Sequence, residues 1–160
     1  MKTLNQLVQA YTNCLQQGEM QAAYKGILEF IGKLRADFNK KYPYYDTGSI
    51  YQGYMDMSYF SLATKPLREK GLKIAIVYLH DKGDFEVWLS ARNRETSKRY
   101  ESSINSILLD KSSVFHDIKN QDAIIECTLT SVPDFENQSL LIDIIEQGVE
   151  KFVAAITKLI

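Results

Sequence analysis

Three cations, Lys73, Arg92 and Arg94, flank two apolar runs that read as one β-hairpin: "LKIAIVYLH" (72–80) and "DFEVWLSAR" (84–92). If Lys82 and Gly83 form a two-residue turn, Lys73 falls opposite Arg92. Facing like charges weaken a strand pair unless an anion or carboxylate lies between them. Asn93 can then cap a helix expected over residues 94–108, whose first N–H groups and dipole favour negative charge. Cations and N–H donors converging at one place predict an anion-binding corner for a phosphate or carboxylate. Trp88, on the same face as Lys73 and Arg92, could line a groove beside it. Ordinary solvated charge, or pairing with Glu95 or Asp56, accounts for the same cations without a site.

Two acids stand in apolar surroundings: Asp56 between Met55 and Met57, and Glu86 between Phe85 and Val87. A partly buried acid with a raised pKa can act as a general base. Helix, three strands, helix, strand is also the element order of the restriction-endonuclease core. That chemistry needs two carboxylates on Mg²⁺ and a lysine beside the attacking oxygen. Here Glu86-Val87-Trp88 puts tryptophan where lysine is wanted. In the two-residue-turn register Lys73 stands about 20 Å from Glu86, six residues at about 3.3 Å each. No catalytic residue is therefore assigned. A divergent restriction-endonuclease-like or phosphate-processing enzyme using Asp56 and Glu86 is kept as the alternative.

The chain carries no nucleophile elbow, Gly-rich phosphate loop or H-E-x-x-H. His80, beside Asp81, reads as a turn residue at a hairpin end. Cys14 and Cys127 make neither a disulfide framework nor, with His80 and His116, a zinc site. No metal and no cofactor are expected, and the thiols fit a reducing, cytoplasmic setting. Six of the ten tyrosines, Tyr42, Tyr44, Tyr45, Tyr51, Tyr54 and Tyr59, fall within eighteen positions. Beside Lys40 and Lys41 they could stack on bases or sugars. The favoured reading has them roof the sheet and anchor their hydroxyls.

The elements that must position these residues follow from periodicity. Leu4, Leu7, Val8, Tyr11 and Leu15 share one face of a helix over 3–17, and Gly18 suits a left-handed cap. A second helix over 19–41 carries Met20, Tyr24, Ile27, Ile31, Leu34 and Phe38, and Pro43 stops it. The short link implies a helical hairpin. "SIYQGYMDMSYFSL", from Ser49, reads as the first strand, and "KPLREKG" (65–71) as a helical turn or loop. In the hairpin, Ile74, Ile76, Tyr78, Phe85, Val87, Leu89 and Ala91 form one wholly apolar face. Lys73, Ala75, Val77, Leu79, Glu86, Trp88, Ser90 and Arg92 form the other. A one-residue slip would bring Glu86 beside the isoleucines, so burial opposes it.

The helix over 94–108 turns Tyr100, Ile104, Ile107 and Leu108 inward. A polar stretch (110–122), a strand (123–131) and a terminal helix (137–160) complete the order α-α-β-β-β-α-β-α. The terminal stripe (Leu141, Ile145, Val149, Phe152, Val153, Ile156 and Leu159) is wide enough near Phe152, Val153 and Ile156 to suggest a homodimer contact. The expectation is one α+β domain over 1–160: a helical hairpin, then a mixed or antiparallel sheet of about four strands with helices packed on it.

Composition sets outer limits. At 160 residues, 45% hydrophobic and 24% charged, the chain can bury an ordinary core. Nineteen Lys and Arg against twenty Asp and Glu argue against a nucleic-acid binder, which normally carries a basic excess. No run approaches the roughly 20 apolar residues of a membrane span, and the amphipathic "MKTLNQLVQAY" is not a signal peptide.

The run "GSIYQGYMDMSYF" followed by "LKIAIVYLHDKGDFEVWLSARNR", with the leading "AAYKGILEFIGKLRADFNKKYP", resembles an uncharacterised bacterial domain-of-unknown-function family in the seven-thousand series. The resemblance covers roughly residues 20 to 95. It implies a shared fold and a bacterial, cytoplasmic protein, and it carries no activity and no catalytic residue. The residues themselves point to a non-enzymatic binding or interaction module. Its partner would be a small anionic ligand or a protein segment near Lys73, Arg92, Arg94 and Trp88.

Overall fold

The computed structural model describes residues 1–104, 113–158 and 160. Helices α1 (Leu4–Gln17) and α2 (Glu19–Lys41) come first. Thr3 and Gln6 form a reciprocal capping box that fixes the start of α1, and Gly18 ends it at φ 81°. The amphipathic pattern of α1 is real, yet none of its residues is buried. Leu4, Leu7, Val8 and Tyr11 remain exposed.

The sheet has six strands: β1 (Asp46–Thr47), β2 (Met57–Ala63), β3 (Leu72–Leu79), β4 (Asp84–Ala91), β5 (Val114–Phe115) and β6 (Ile125–Thr130). Their spatial order is β1-β2-β3-β4-β6-β5, and every pairing is antiparallel. Two-residue β1 and β5 lie at the edges and account for the excess over four. The tyrosine-rich stretch forms a strand only from Met57. Before that, Gly53 and Met55 take positive φ, and a single bridge joins Tyr51 to Tyr59.

Helices α3 (Lys65–Glu69), α4 (Arg94–Arg99) and α5 (Gln138–Thr157) complete the α+β fold, with residues 101–104 also helical. Helix α4 is interrupted by a turn at Tyr100 before the helical residues 101–104, and the rest of the expected span, 105–108, lies outside the described residues. Ile104 is buried as expected; Ile107, Leu108 and Leu159 lie outside the described residues.

One sheet face is covered by helices. Phe30, Ile31, Leu34 and Phe38 of α2 and Leu141, Ile145, Val149, Phe152 and Ile156 of α5 share a core with the apolar hairpin face and Phe60, Leu62 and Ile125. Phe30 meets Phe85 and Phe135 edge-on at 5.7 and 5.5 Å, a geometry aromatic quadrupoles favour. In the terminal helix Phe152 and Ile156 are buried and Val153 is partly buried against the same core, so this stripe serves the core first.

The hairpin register is also corrected. Leu79 pairs with Asp84, Tyr78 with Phe85, Ala75 with Trp88 and Lys73 with Ser90. The connection is four residues, His80 to Gly83, closed by the Gly83 N–H donating to the Leu79 carbonyl at 2.8 Å. A two-residue type I′ turn needs positive φ at both positions. Only Gly83 has it, at 71°, and Lys82 does not. The pairing therefore shifts by two residues, and Lys73 does not face Arg92.

Candidate functional site

The face of the hairpin away from the helices floors a cavity of about 520 Å³. Ala75 and Val77 of β3 and Trp88 of β4 are buried there with Ala123, and Met57, Tyr59 and Leu79 pack alongside. They reach this face because β-strand side chains alternate, the even and odd positions of each strand pointing opposite ways. Lys73, Arg94, Asn93, Ser97, Gln121 and Asp122 also line the cavity, with the Tyr51 and Tyr59 rings in tilted contact at 5.0 Å.

Lys73 and Arg94 are both exposed at this cavity, and among the described residues neither forms an ion pair. Arg94 donates from Nη2 to Gln121 Oε1 at 3.4 Å. Ser90, opposite Lys73, donates its hydroxyl to the Asp122 carbonyl at 2.7 Å. Lys73, Ser90, Arg94, Gln121 and Asp122 thus belong to one end of the cavity.

Arg92 goes elsewhere. Its N–H donates to the Gly71 carbonyl at 2.9 Å, and its side chain lies across Gly71, where an added Cβ would stand 2.9 Å from Nε. It does not line the cavity. The structure brings Lys73, Arg94 and Trp88 together and separates Arg92 from them. The expected helix-start contribution is also corrected: α4 has six residues, and Asn93 Oδ1 already accepts the Thr96 N–H at 2.8 Å. What remains is two cations and a set of polar side chains.

Trp88 donates its indole N–H to Glu86 Oε1 at 2.9 Å, so it presents ring carbon to the cavity. Glu86 is buried on the same face, and desolvation raises its pKa although the Trp88 hydrogen bond opposes this. Lys73 is four residues from Val77, the partner of Glu86, or about 13 Å along the strand. This replaces the longer separation drawn from the two-residue turn and is still too great for an acid-lysine pair.

Asp56 shapes a turn. Its Oδ1 accepts the Tyr54 N–H at 2.9 Å, and backbone N–H donors, Tyr54 first, hold its pKa below the usual carboxylate value. Neither Asp56 nor Glu86 lines the cavity. Among the described residues no three His, Cys, Asp or Glu side chains are grouped as metal ligands would be.

His80 is built into the fold. Its ring stacks on Tyr24 at 5.3 Å, and its Nε2 is 2.8 Å from the buried Ser58 hydroxyl. That hydroxyl donates to the Gln52 carbonyl at 2.5 Å, so His80 Nε2–H is the donor to Ser58 Oγ. Burial lowers the His80 pKa, against the opposing pull of Asp56 and Asp81. Tyr45 and Tyr44 direct their hydroxyls to Glu150 at 3.0 and 3.5 Å. Tyr54 is exposed.

Two polar clusters escaped the sequence reading. Glu126, buried on β6, accepts His116 Nδ1–H and the Asp117 N–H, each at 2.8 Å. Its signal was a lone acid within the apolar run AIIEC. Where α2 meets α5, Glu146 is buried beside Asp37, with Lys41 Nζ 3.3 Å from Glu146 Oε2 and 3.0 Å from Asp37 Oδ2. Burial, then the hydrogen bond with Asp37, pushes the Glu146 carboxyl up to about 7. That same hydrogen bond is the main cause lowering Asp37. At about 100° per residue Glu146 falls about 60° beyond Val149, at the margin of the buried stripe, so helical spacing alone gave little sign of its burial.

No helix among the described residues is long and apolar enough to cross a membrane. Searches of curated proteins and of solved structures gave no match. A family model covers residues 4–160, almost the whole sequence, and the chain belongs to the family described as "Domain of unknown function (DUF7000)".

Proposed function

We propose that this chain is a non-enzymatic binding module whose cavity takes a small anionic ligand. Lys73 and Arg94 hold the anion and Trp88 forms the wall beside it. One observation carries the reading: two cations that form no ion pair among the described residues line a concave site of about 520 Å³ over an apolar floor, a size and lining typical of small-molecule sites. Unpaired charge at a surface is ordinary, but two cations at one end of a concavity, offset in part by Asp122, supply an electrostatic reason for an anion to reside there. The setting proposed with it is the bacterial cytoplasm, which suits two free cysteines, Cys14 and Cys127. The alternative, a divergent nuclease or phosphate-processing enzyme drawing on Asp56 and Glu86, has less support because neither carboxylate lines the cavity.

Trp88 is the single tryptophan, so its indole N–H resonance reports directly on the cavity. Titration with benzoate should shift that resonance. Lys73→Gln with Arg94→Gln should weaken the response at least tenfold while Arg92→Gln leaves it nearly unchanged. Equal affinity in wild type and the Lys73/Arg94 double variant would end the proposal.

A further inference from the structure

The cavity is sorted by polarity from end to end, and this narrows the ligand. It rests on the anion-pocket reading above. Along β3 the open face runs Lys73, Ala75, Val77, and opposite them on β4 stand Ser90, Trp88 and Glu86. The cationic end holds Lys73 and Arg94, with Gln121 and Asp122 tied to it by the Arg94 and Ser90 hydrogen bonds. The far end is Val77 with its β2 neighbour Tyr59, whose ring lies tilted against Tyr51 at 5.0 Å. About 13 Å of strand separates Lys73 from Val77. Between them the floor is Ala75 and Trp88, and the indole N–H is already given to Glu86. A ligand reaching past the cations therefore meets carbon, aromatic faces and no free indole donor.

Charge narrows it again. Lys73 and Arg94 against Asp122, which also lines the cavity, leave one formal positive charge. That suits a singly charged head better than a dianion, because a second negative charge would have no counter-charge beside it.

We infer that the ligand is a planar aromatic monocarboxylic acid, or a molecule of that chemistry. Its carboxylate lies between Lys73 and Arg94, and its flat body lies over Ala75 and Trp88 toward Tyr59 and Val77. The small side chain at position 75 leaves room for the ring.

Calorimetric titration of the full chain with four probes tests this: 2-naphthoate, acetate, inorganic phosphate and 2-naphthalenemethanol. Naphthoate should bind at least tenfold more tightly than each of the others. Ala75→Leu, which fills the floor, should weaken naphthoate at least tenfold; because that variant could also disturb the fold, the wild-type ligand series decides independently. If acetate or phosphate binds as well as naphthoate, the aromatic body is wrong and the anion pocket survives. If the neutral alcohol binds as well, or no probe binds, the anion pocket falls and this inference with it.

Discussion

Replacing Glu146 with glutamine should remove a fall in stability that the wild-type chain shows between weakly acid and alkaline pH. Glu146 is 4% exposed, wedged between α2 and α5, and its carboxyl titrates near 7 in the fold against an ordinary 4.5. Between those two values the folded chain keeps a proton that the unfolded chain has released, so stability declines as pH rises through that window and levels off above it. At 1.36 kcal/mol per pKa unit the decline from pH 5 to 8.5 is about 2 to 3 kcal/mol. Glutamine has no proton to lose and preserves the shape, so the variant should lack this decline.

The neighbouring groups do not reproduce the effect. Asp37 titrates below its ordinary 3.8 and Lys41 near 12, both outside the window. The hydroxyl of Tyr42, which also feels Glu146, is raised by burial above 10. Glu150, which accepts from the Tyr44 and Tyr45 hydroxyls, is common to both chains. His80, with its pKa lowered by burial, contributes in the opposite sense, with stability lost as pH falls, and it cancels when wild type and variant are compared. Urea unfolding of both proteins at half-unit pH steps measures the difference directly. Parallel curves for Glu146→Gln and wild type would show that no proton is held at the α2–α5 contact.

Two further outcomes test the fold. Gly53→Ala should cost at least about 2 kcal/mol in urea midpoint, because φ is 75° there and a Cβ would run into the Met57 carbonyl oxygen, a rigid neighbour. Removing residues 1–17 should change the thermal midpoint of the remainder by only a few degrees, since α1 buries no residue; loss of cooperative unfolding would show that α1 supports the core.

The parts legible in the sequence were those where one periodicity ran unbroken. Ile31, Leu34 and Phe38 on α2, and Leu141, Ile145 and Val149 on α5, repeat at helical spacing and all enter the core. The alternation in residues 72–92 assigned Ile74, Ile76, Tyr78, Phe85, Val87 and Leu89 to one face and Ala75, Val77, Leu79 and Trp88 to the other, as the two packed clusters have them, while Arg92, past the end of β4, turns across Gly71 instead. The misses have local causes. Edge strands β1 and β5 are two residues long, too short for alternation to register. Residues 49–56 have strand-like composition, but the positive φ of Gly53 and Met55 interrupts the pleat. Gln121 and Asp122 come from a polar stretch without periodicity and enter the cavity only because β6 lies beside β4.

The hairpin shows why a face can be read from sequence when a corner cannot. Its pairing differs from the expected one by two residues, and an even shift leaves every side chain on the same side of the sheet. Burial selects between even and odd alignments, since an odd one would push Glu86 among the isoleucines. Burial is nearly indifferent between two even ones, and there the turn decides. With positive φ at Gly83 alone, the chain takes the longer connection, and the partner of Lys73 changes from Arg92 to Ser90. The cation that does join Lys73 at the cavity is Arg94, carried past the strand end by Asn93 and the start of α4. A site assembled from one strand residue and one residue beyond a strand is therefore only as predictable as the turn that sets their register.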